Sequence, residues 1–268
     1  MSRVVILQLL WLFPLSAATT TADFGTRAGT YLDSLSKTQN FSGAILVAHQ
    51  GQVLFKGAYG FANVEWSLPN TSQTKFEIGS LTKQFTASAI LKLVEAGKLR
   101  LDAPISAYIA DLPNSWSRVT IHHLLTHTSG IPNTGKLSDY SQGLHHQYSP
   151  AELLGLVRDR PLEYEPGAKW VYSNTDYYLL GYLIERLSAE SYAAYLQRLF
   201  FEPLGMADTG YNSYTTILAR RANGYARENG QLQNAERPDP SIPYSAGAVF
   251  STSKTSSSGT RRFMLRRS

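Results

Sequence analysis

Glu77-Ile78-Gly79-Ser80-Leu81-Thr82-Lys83-Gln84-Phe85 is the stretch around which the rest of the sequence is organised. It reads as a turn delivering the chain into a helix. Phe85, Ala89, Ile90, Leu93 and Val94 recur at helical spacing, and Gly97 is placed to end the run. Ser80 then sits at the helix start with Lys83 one turn on. Residues three apart share a helix face, so hydroxyl and amine can meet. A serine hydroxyl is a weak nucleophile until a neighbour takes its proton, and a lysine held neutral can do so. The helix N-terminus adds N–H donors and positive potential near the place where an oxyanion would form.

Ser-x-x-Lys also occurs at Ser34/Lys37, Ser72/Lys75 and Ser251/Lys254, so the pattern alone decides nothing. The Ser80 copy is distinguished by Tyr172-Ser173-Asn174, the only Tyr-x-Asn in the chain, which follows at a domain-scale distance. A Ser-x-x-Lys followed by a second polar triplet is the arrangement of serine β-lactamases and penicillin-binding proteins.

Composition bounds the alternatives. A length of 268 residues allows one large domain or two small ones, and a hydrophobic share of 43% suits a globular core. With 0 cysteines there is neither a disulfide framework nor thiolate chemistry, and a zinc site would need histidines and carboxylates alone. The formal charge of +5 is uneven: Lys254, Arg261, Arg262, Arg266 and Arg267 supply all of it, with no acid among residues 254–268. The remainder balances to zero and gives no electrostatic case for binding nucleic acid.

Residues 1–18 have the form of a secretory signal: Arg3, an apolar run over 4–15, then Ser16-Ala17-Ala18 as small residues for cleavage. The run is short for a membrane span, so no stable span is expected after cleavage, and export to the periplasm or the medium is. The globular domain is expected over 19–253.

Periodicity predicts a helix over 26–39 and a β-hairpin of 42–48 with 52–60 around His49-Gln50-Gly51. A polar loop over 63–74 then leads to Ser80. Residues 99–105 read as an extended connection, and 119–127 as a helix closed by Thr128-Ser129-Gly130-Ile131-Pro132. Helices are expected over 150–159, 177–187 and 192–201, the last stopped by Pro203-Leu204-Gly205-Met206. A small hairpin is expected around Asn229-Gly230. His122, His123, His127, His145 and His146 look metal-like, yet no His-Glu-x-x-His occurs and no acid stands at ligand spacing in the first cluster. Packing and loop hydrogen bonds are their expected roles, with no metal and no cofactor. No Gly-x-Ser-x-Gly occurs, so a nucleophile elbow is not available.

Six stretches together resemble the serine β-lactamase-like hydrolases, the group of class C β-lactamases, D-amino-acid peptidases and related esterases. They are Phe41-Ser-Gly-Ala-Ile-Leu-Val-Ala, Phe76-Glu-Ile-Gly-Ser-Leu-Thr-Lys-Gln-Phe-Thr, Ile121-His-His-Leu-Leu-Thr-His-Thr-Ser-Gly-Ile-Pro, Glu165-Pro-Gly-Ala-Lys-Trp-Val-Tyr-Ser-Asn-Thr-Asp-Tyr, Glu202-Pro-Leu-Gly-Met and Ser245-Ala-Gly-Ala-Val-Phe-Ser-Thr. The resemblance implies an α+β fold in which an antiparallel sheet is flanked by helices, with the site beside a mostly helical region. It implies Ser80 as acylated nucleophile, Lys83 and Tyr172 sharing the base role, and Asn174 holding the substrate. The substrate would be a small molecule or peptide carrying an amide, ester or β-lactam bond, and the motifs do not separate these.

The family pattern continues past Ser251-Thr252 into a helix, further strands and a C-terminal helix, one strand carrying a His-x-Gly or Lys-Thr-Gly motif. Residues 254–268 do not match it, and Lys254-Thr255-Ser256 comes too early to be that motif. Back-translating the tail with freely chosen codons and restoring one base yields an amphipathic helix, so a shifted reading frame is the expected origin. On this reading the C-terminal strands and helix are missing and turnover is little or none. A noncatalytic binder of peptides or β-lactams, or a gene remnant, are then the other function classes.

Overall fold

The computed structural model describes residues 21–39, 41–136 and 144–254. Two units are distinguished by their internal contacts. One takes the described residues up to Thr74 together with Arg220–Glu236, and the other takes Lys75–Ala219 and the described residues from Arg237 on.

In the first unit a helix, Thr21–Gln39, precedes an antiparallel hairpin of Gly43–His49 with Gln52–Tyr59. The turn residues Gln50 and Gly51 both have positive φ, 48° and 76°, the hand that follows the right-handed twist of the strands. The stretch expected as loop carries a short pairing instead, Phe61–Asn63 with Leu68–Pro69. A further hairpin pairs Tyr225–Glu228 with Gln231–Asn234 around Asn229-Gly230, as the sequence predicts.

The second unit is built on two helices. Thr82–Glu95 buries Thr82, Lys83, Thr86, Ala89, Ile90 and Leu93 along one stripe. Gly97 ends it at φ 68°, with Gly97 N–H donating to the Val94 carbonyl and Lys98 N–H to the Leu93 carbonyl, both at 2.9 Å. Asn174–Ser188 is buried over most of its surface, including Tyr177 through Leu180, Leu183 and Ile184. Shorter helices pack nearby. Ile121–Leu125 opens on a reciprocal cap between Thr120 and His123, and Pro150–Arg158 on one between Ser149 and Glu152. The core gathers Ile90, Leu93, Trp116, Leu124, Leu180 and Phe201. Beside it stands a three-stranded antiparallel sheet whose central strand, Val249–Ser251, pairs with Phe76–Glu77 and Gly210–Tyr211.

Several expectations change in detail. Among the described residues the strands form four separate small antiparallel sheets rather than one. The helix expected over 119–127 is only Ile121–Leu125, because His127 adopts a left-handed φ of 58° and turns the chain away. The helix expected over 192–201 is α-helical to Leu196 and closes with a π turn, Gln197–Phe201. The 99–105 connection is a turn with a single bridge, Pro104 to Thr120, rather than an extended run. No helix among the described residues is long and apolar enough to cross a membrane. The expected signal segment and the basic tail beyond Lys254 lie outside the described residues.

Candidate active site

Ser80 is delivered by the edge strand Phe76–Glu77. Ile78 N–H donates to the Val249 carbonyl at 2.9 Å, which ties the chain to the sheet just before the serine. Gly79 follows at φ 52°, and a Cβ there would meet nothing within 4 Å. Backbone conformation, not space, is what glycine supplies at this turn. Ser80 itself lies in a 3-10 turn, Gly79–Leu81, that runs into the α-helix at Thr82, so the regular helix begins two residues after Ser80 rather than at it. Its side chain is exposed.

Lys83 is buried, with 7% of its surface accessible, and all three ammonium donors are used. Nζ donates to Asn174 Oδ1 and to the Ala246 carbonyl, each at 2.9 Å, and to Ser80 Oγ at 3.4 Å. All three acceptors are neutral. Burial therefore pulls the Lys83 pKa down, against the Tyr172 hydroxyl and the charge of Asp176, which pull it up. Nζ also stands 4.7 Å from the Tyr172 ring centre and 5.4 Å from that of Tyr177.

The Tyr172 hydroxyl lies 2.7 Å from Ser80 Oγ. Ser173, with extended backbone, turns the chain so that Asn174 opens the next helix. The four residues singled out in the sequence, Ser80, Lys83, Tyr172 and Asn174, thus meet at one point.

A second layer holds them. Thr86, one turn beyond Lys83, donates to the Ser245 carbonyl at 2.7 Å, and Ser245 Oγ donates to the Tyr177 carbonyl at 2.8 Å. Val249 N–H donates to Thr82 Oγ1 at 3.1 Å. These bonds fix the short helix Tyr244–Gly247, and with it the Ala246 carbonyl under Lys83. Beneath Tyr172 lies His127, its ring centre 4.7 Å away, with Tyr177 on the same imidazole at 5.1 Å. His127 Nδ1 accepts from Ser173 N–H at 3.3 Å and faces Asp176 Oδ2 at 3.4 Å. Asp176 is fully buried and takes a 2.5 Å bond from Ser129 Oγ. Burial pushes its pKa up to about 6. The hydrogen bonds from His127 and Ser129 and the charge of Lys83 oppose that rise.

His127 and Asp176 lie inside motifs quoted above, but only the four-residue constellation has a role there. The Ala246 carbonyl had no signal to find, because a backbone group is blind to residue type. Among the described residues no group of three or more His, Cys, Asp or Glu is placed to hold a metal ion.

Comparison with known proteins gives the lineage. The Beta-lactamase family model matches residues 29–258. A putative penicillin-binding protein, PbpX, of Bacillus subtilis is 30% identical over 86% of this chain and 56% of its own. Esterase EstB of Burkholderia gladioli is 34% identical over 72% of this chain and 53% of its own. Among solved structures, a penicillin-binding protein from Bacillus halodurans superposes with a TM-score of 0.78 at 32% identity, covering 88% of this chain and 73% of that one. A D-amino acid amidase from Ochrobactrum anthropi gives 0.77 at 25% identity, over 91% and 71%. The chain spans about half the length of the curated relatives it matches. A matching family model over most of the chain, the shared α+β architecture and the Ser80 constellation agree: this chain belongs to the β-lactamase family.

Proposed function

We propose that the Ser80 centre hydrolyses amide or ester bonds through an acyl-enzyme. The observation that carries this is the Ser80 hydroxyl, 2.7 Å from Tyr172 and 3.4 Å from a lysine whose charged form is disfavoured by burial. Neutral Lys83, acting with Tyr172, takes the Ser80 proton as Oγ attacks the carbonyl carbon. The C–N or C–O bond then breaks, and the same pair returns the proton to the leaving nitrogen or oxygen. Water, deprotonated in the same way, releases the acid and restores Ser80. The Tyr172 hydroxyl and Lys83 Nζ both reach Ser80 Oγ, so the two share the base role. Asn174 Oδ1 is engaged by Lys83, which leaves its amide N–H₂ to orient a substrate carbonyl.

The names of relatives, an esterase and a D-amino acid amidase among them, support small amide and ester substrates. Substrates to compare are a p-nitrophenyl ester, a D-phenylalanine amide and benzylpenicillin, each with the native chain and with Ser80→Ala. Turnover of at least one substrate that vanishes in the variant supports the proposal. Folded protein that turns over none of them, or equal rates in both chains, goes against it.

A further inference from the structure

Away from the Ser80 constellation, the second unit holds a cavity of about 230 Å³ whose walls are unusually rich in tyrosine. Tyr192, Tyr211 and Tyr244 form a mutually packed cluster, with ring centres 5.3 to 6.5 Å apart, and Tyr148 and Tyr214 complete the aromatic lining. The ionisable wall residues that are not phenols are Glu185 and Asp239. Among the described residues no lysine, arginine or histidine lines the cavity. Arg237 stacks on Tyr214, but its guanidinium is directed to Glu77 and to Asn212 Oδ1.

Both carboxylates have capacity to spare. Glu185 Oε1 accepts from Tyr192 N–H at 2.8 Å, and Asp239 Oδ1 from Ser241 N–H at 2.9 Å, so each engages one oxygen in the fold. The Tyr244 hydroxyl, on a residue only 5% exposed, is turned toward the Glu185 carboxylate. Burial first, and then the charge of Glu185, push the Tyr244 pKa up, and burial followed by the charges of Glu185 and Asp239 does the same for Tyr211. A bound cation relieves the same field.

We infer that this cavity binds a small organic ammonium ion. Negative charge without a compensating cation calls for a positive ligand. Tyrosine faces, whose ring quadrupoles attract cations, favour an alkylated ammonium over a strongly hydrated metal ion. The volume falls below the roughly 300–1,000 Å³ typical of drug-sized ligands, so the ligand has few heavy atoms. The inference is independent of the hydrolytic proposal, since it uses none of the Ser80, Lys83, Tyr172 or Asn174 side chains.

The test is calorimetric titration of the full chain with tetramethylammonium chloride at constant ionic strength, with tert-butyl alcohol as neutral isostere and sodium chloride as control. Saturable heat with tetramethylammonium alone is expected, and Asp239→Asn should weaken binding at least tenfold. Because Asp239 is buried, Tyr214→Ala serves as a second variant: Tyr214 is 55% exposed, so the fold tolerates its loss, and affinity should fall severalfold. No saturable heat, equal response to tert-butyl alcohol or sodium, or unchanged affinity in both variants would overturn the inference.

Discussion

Lys83 Nζ and the Ala246 carbonyl oxygen are 2.9 Å apart, although 163 residues separate them in the chain. The bond joins the Ser80 helix to the short helix Tyr244–Gly247 and fills the lysine's third donor position with a neutral acceptor. A carboxylate in that place would hold the amine charged. A carbonyl satisfies its hydrogen bonding and leaves burial free to favour the neutral form.

This separates activity from stability at Lys83. Lys83→Met removes the proposed base but also a buried, desolvated amine. Hydrolysis should fall about 10²–10⁴-fold, the range for a lost general base, while the urea midpoint stays within ordinary single-substitution scatter. A large loss of stability together with intact turnover would contradict the assignment. The two are read from a denaturation curve and an initial-rate assay on the same preparation.

Tyr172→Phe keeps the ring that covers His127 and Lys83 and removes only the hydroxyl next to Ser80. Acylation should slow by roughly 10²-fold or more with little change in melting temperature. Stopped-flow measurement of the acylation phase checks this directly, and an unchanged rate would remove Tyr172 from the proton path.

Asp176 predicts a pH dependence of stability. Its folded pKa, about 6, is raised above the ordinary 3.8. Its contribution is therefore fully present below about pH 4 and is lost as pH rises through about 6. The shift corresponds to about 3 kcal/mol. Asp176→Asn keeps an acceptor for Ser129 and gains a donor toward His127, so it should flatten the stability curve between pH 4 and 6.5. Urea denaturation at half-unit pH steps gives the comparison, and parallel curves for the two chains would refute the role given to this carboxyl.

Gly181 lies where the long helix passes Ser245: a Cβ there would be 2.1 Å from Ser245 Oγ. Gly181→Ala should cost about 1–3 kcal/mol through overpacking. It should also reduce turnover, because Ser245 and Ala246 position Lys83. Thermal melts and initial rates should move together, unlike at Lys83.

The part of this architecture legible in the sequence is the part carried by periodicity and short-range spacing. The Ser80 helix, its glycine stop at Gly97 and the Asn229-Gly230 hairpin follow from local rules, and so does the approach of Lys83 to Ser80. The meeting with Tyr172 and Asn174 came from the resemblance, since no local rule joins residues 91 or 92 apart. The rest depended on tertiary context. His127 looks like a helix residue or a metal ligand by spacing, yet it adopts a left-handed backbone and packs under Tyr172. Asp176 reads as a favourable first-turn acid of its helix, and burial makes it something else. The π turn at Gln197–Phe201 leaves the apolar pattern nearly unchanged and so gives no periodic signal.

The central claim is that Ser80 becomes covalently acylated, and intact-mass analysis tests it most directly. The full chain is incubated with benzylpenicillin and, separately, with a p-nitrophenyl ester, then digested to map any adduct. The account predicts one added acyl group, located on Ser80 and absent from Ser80→Ala. Folded protein that forms no adduct with either reagent, or an adduct on another residue that survives in Ser80→Ala, would contradict it.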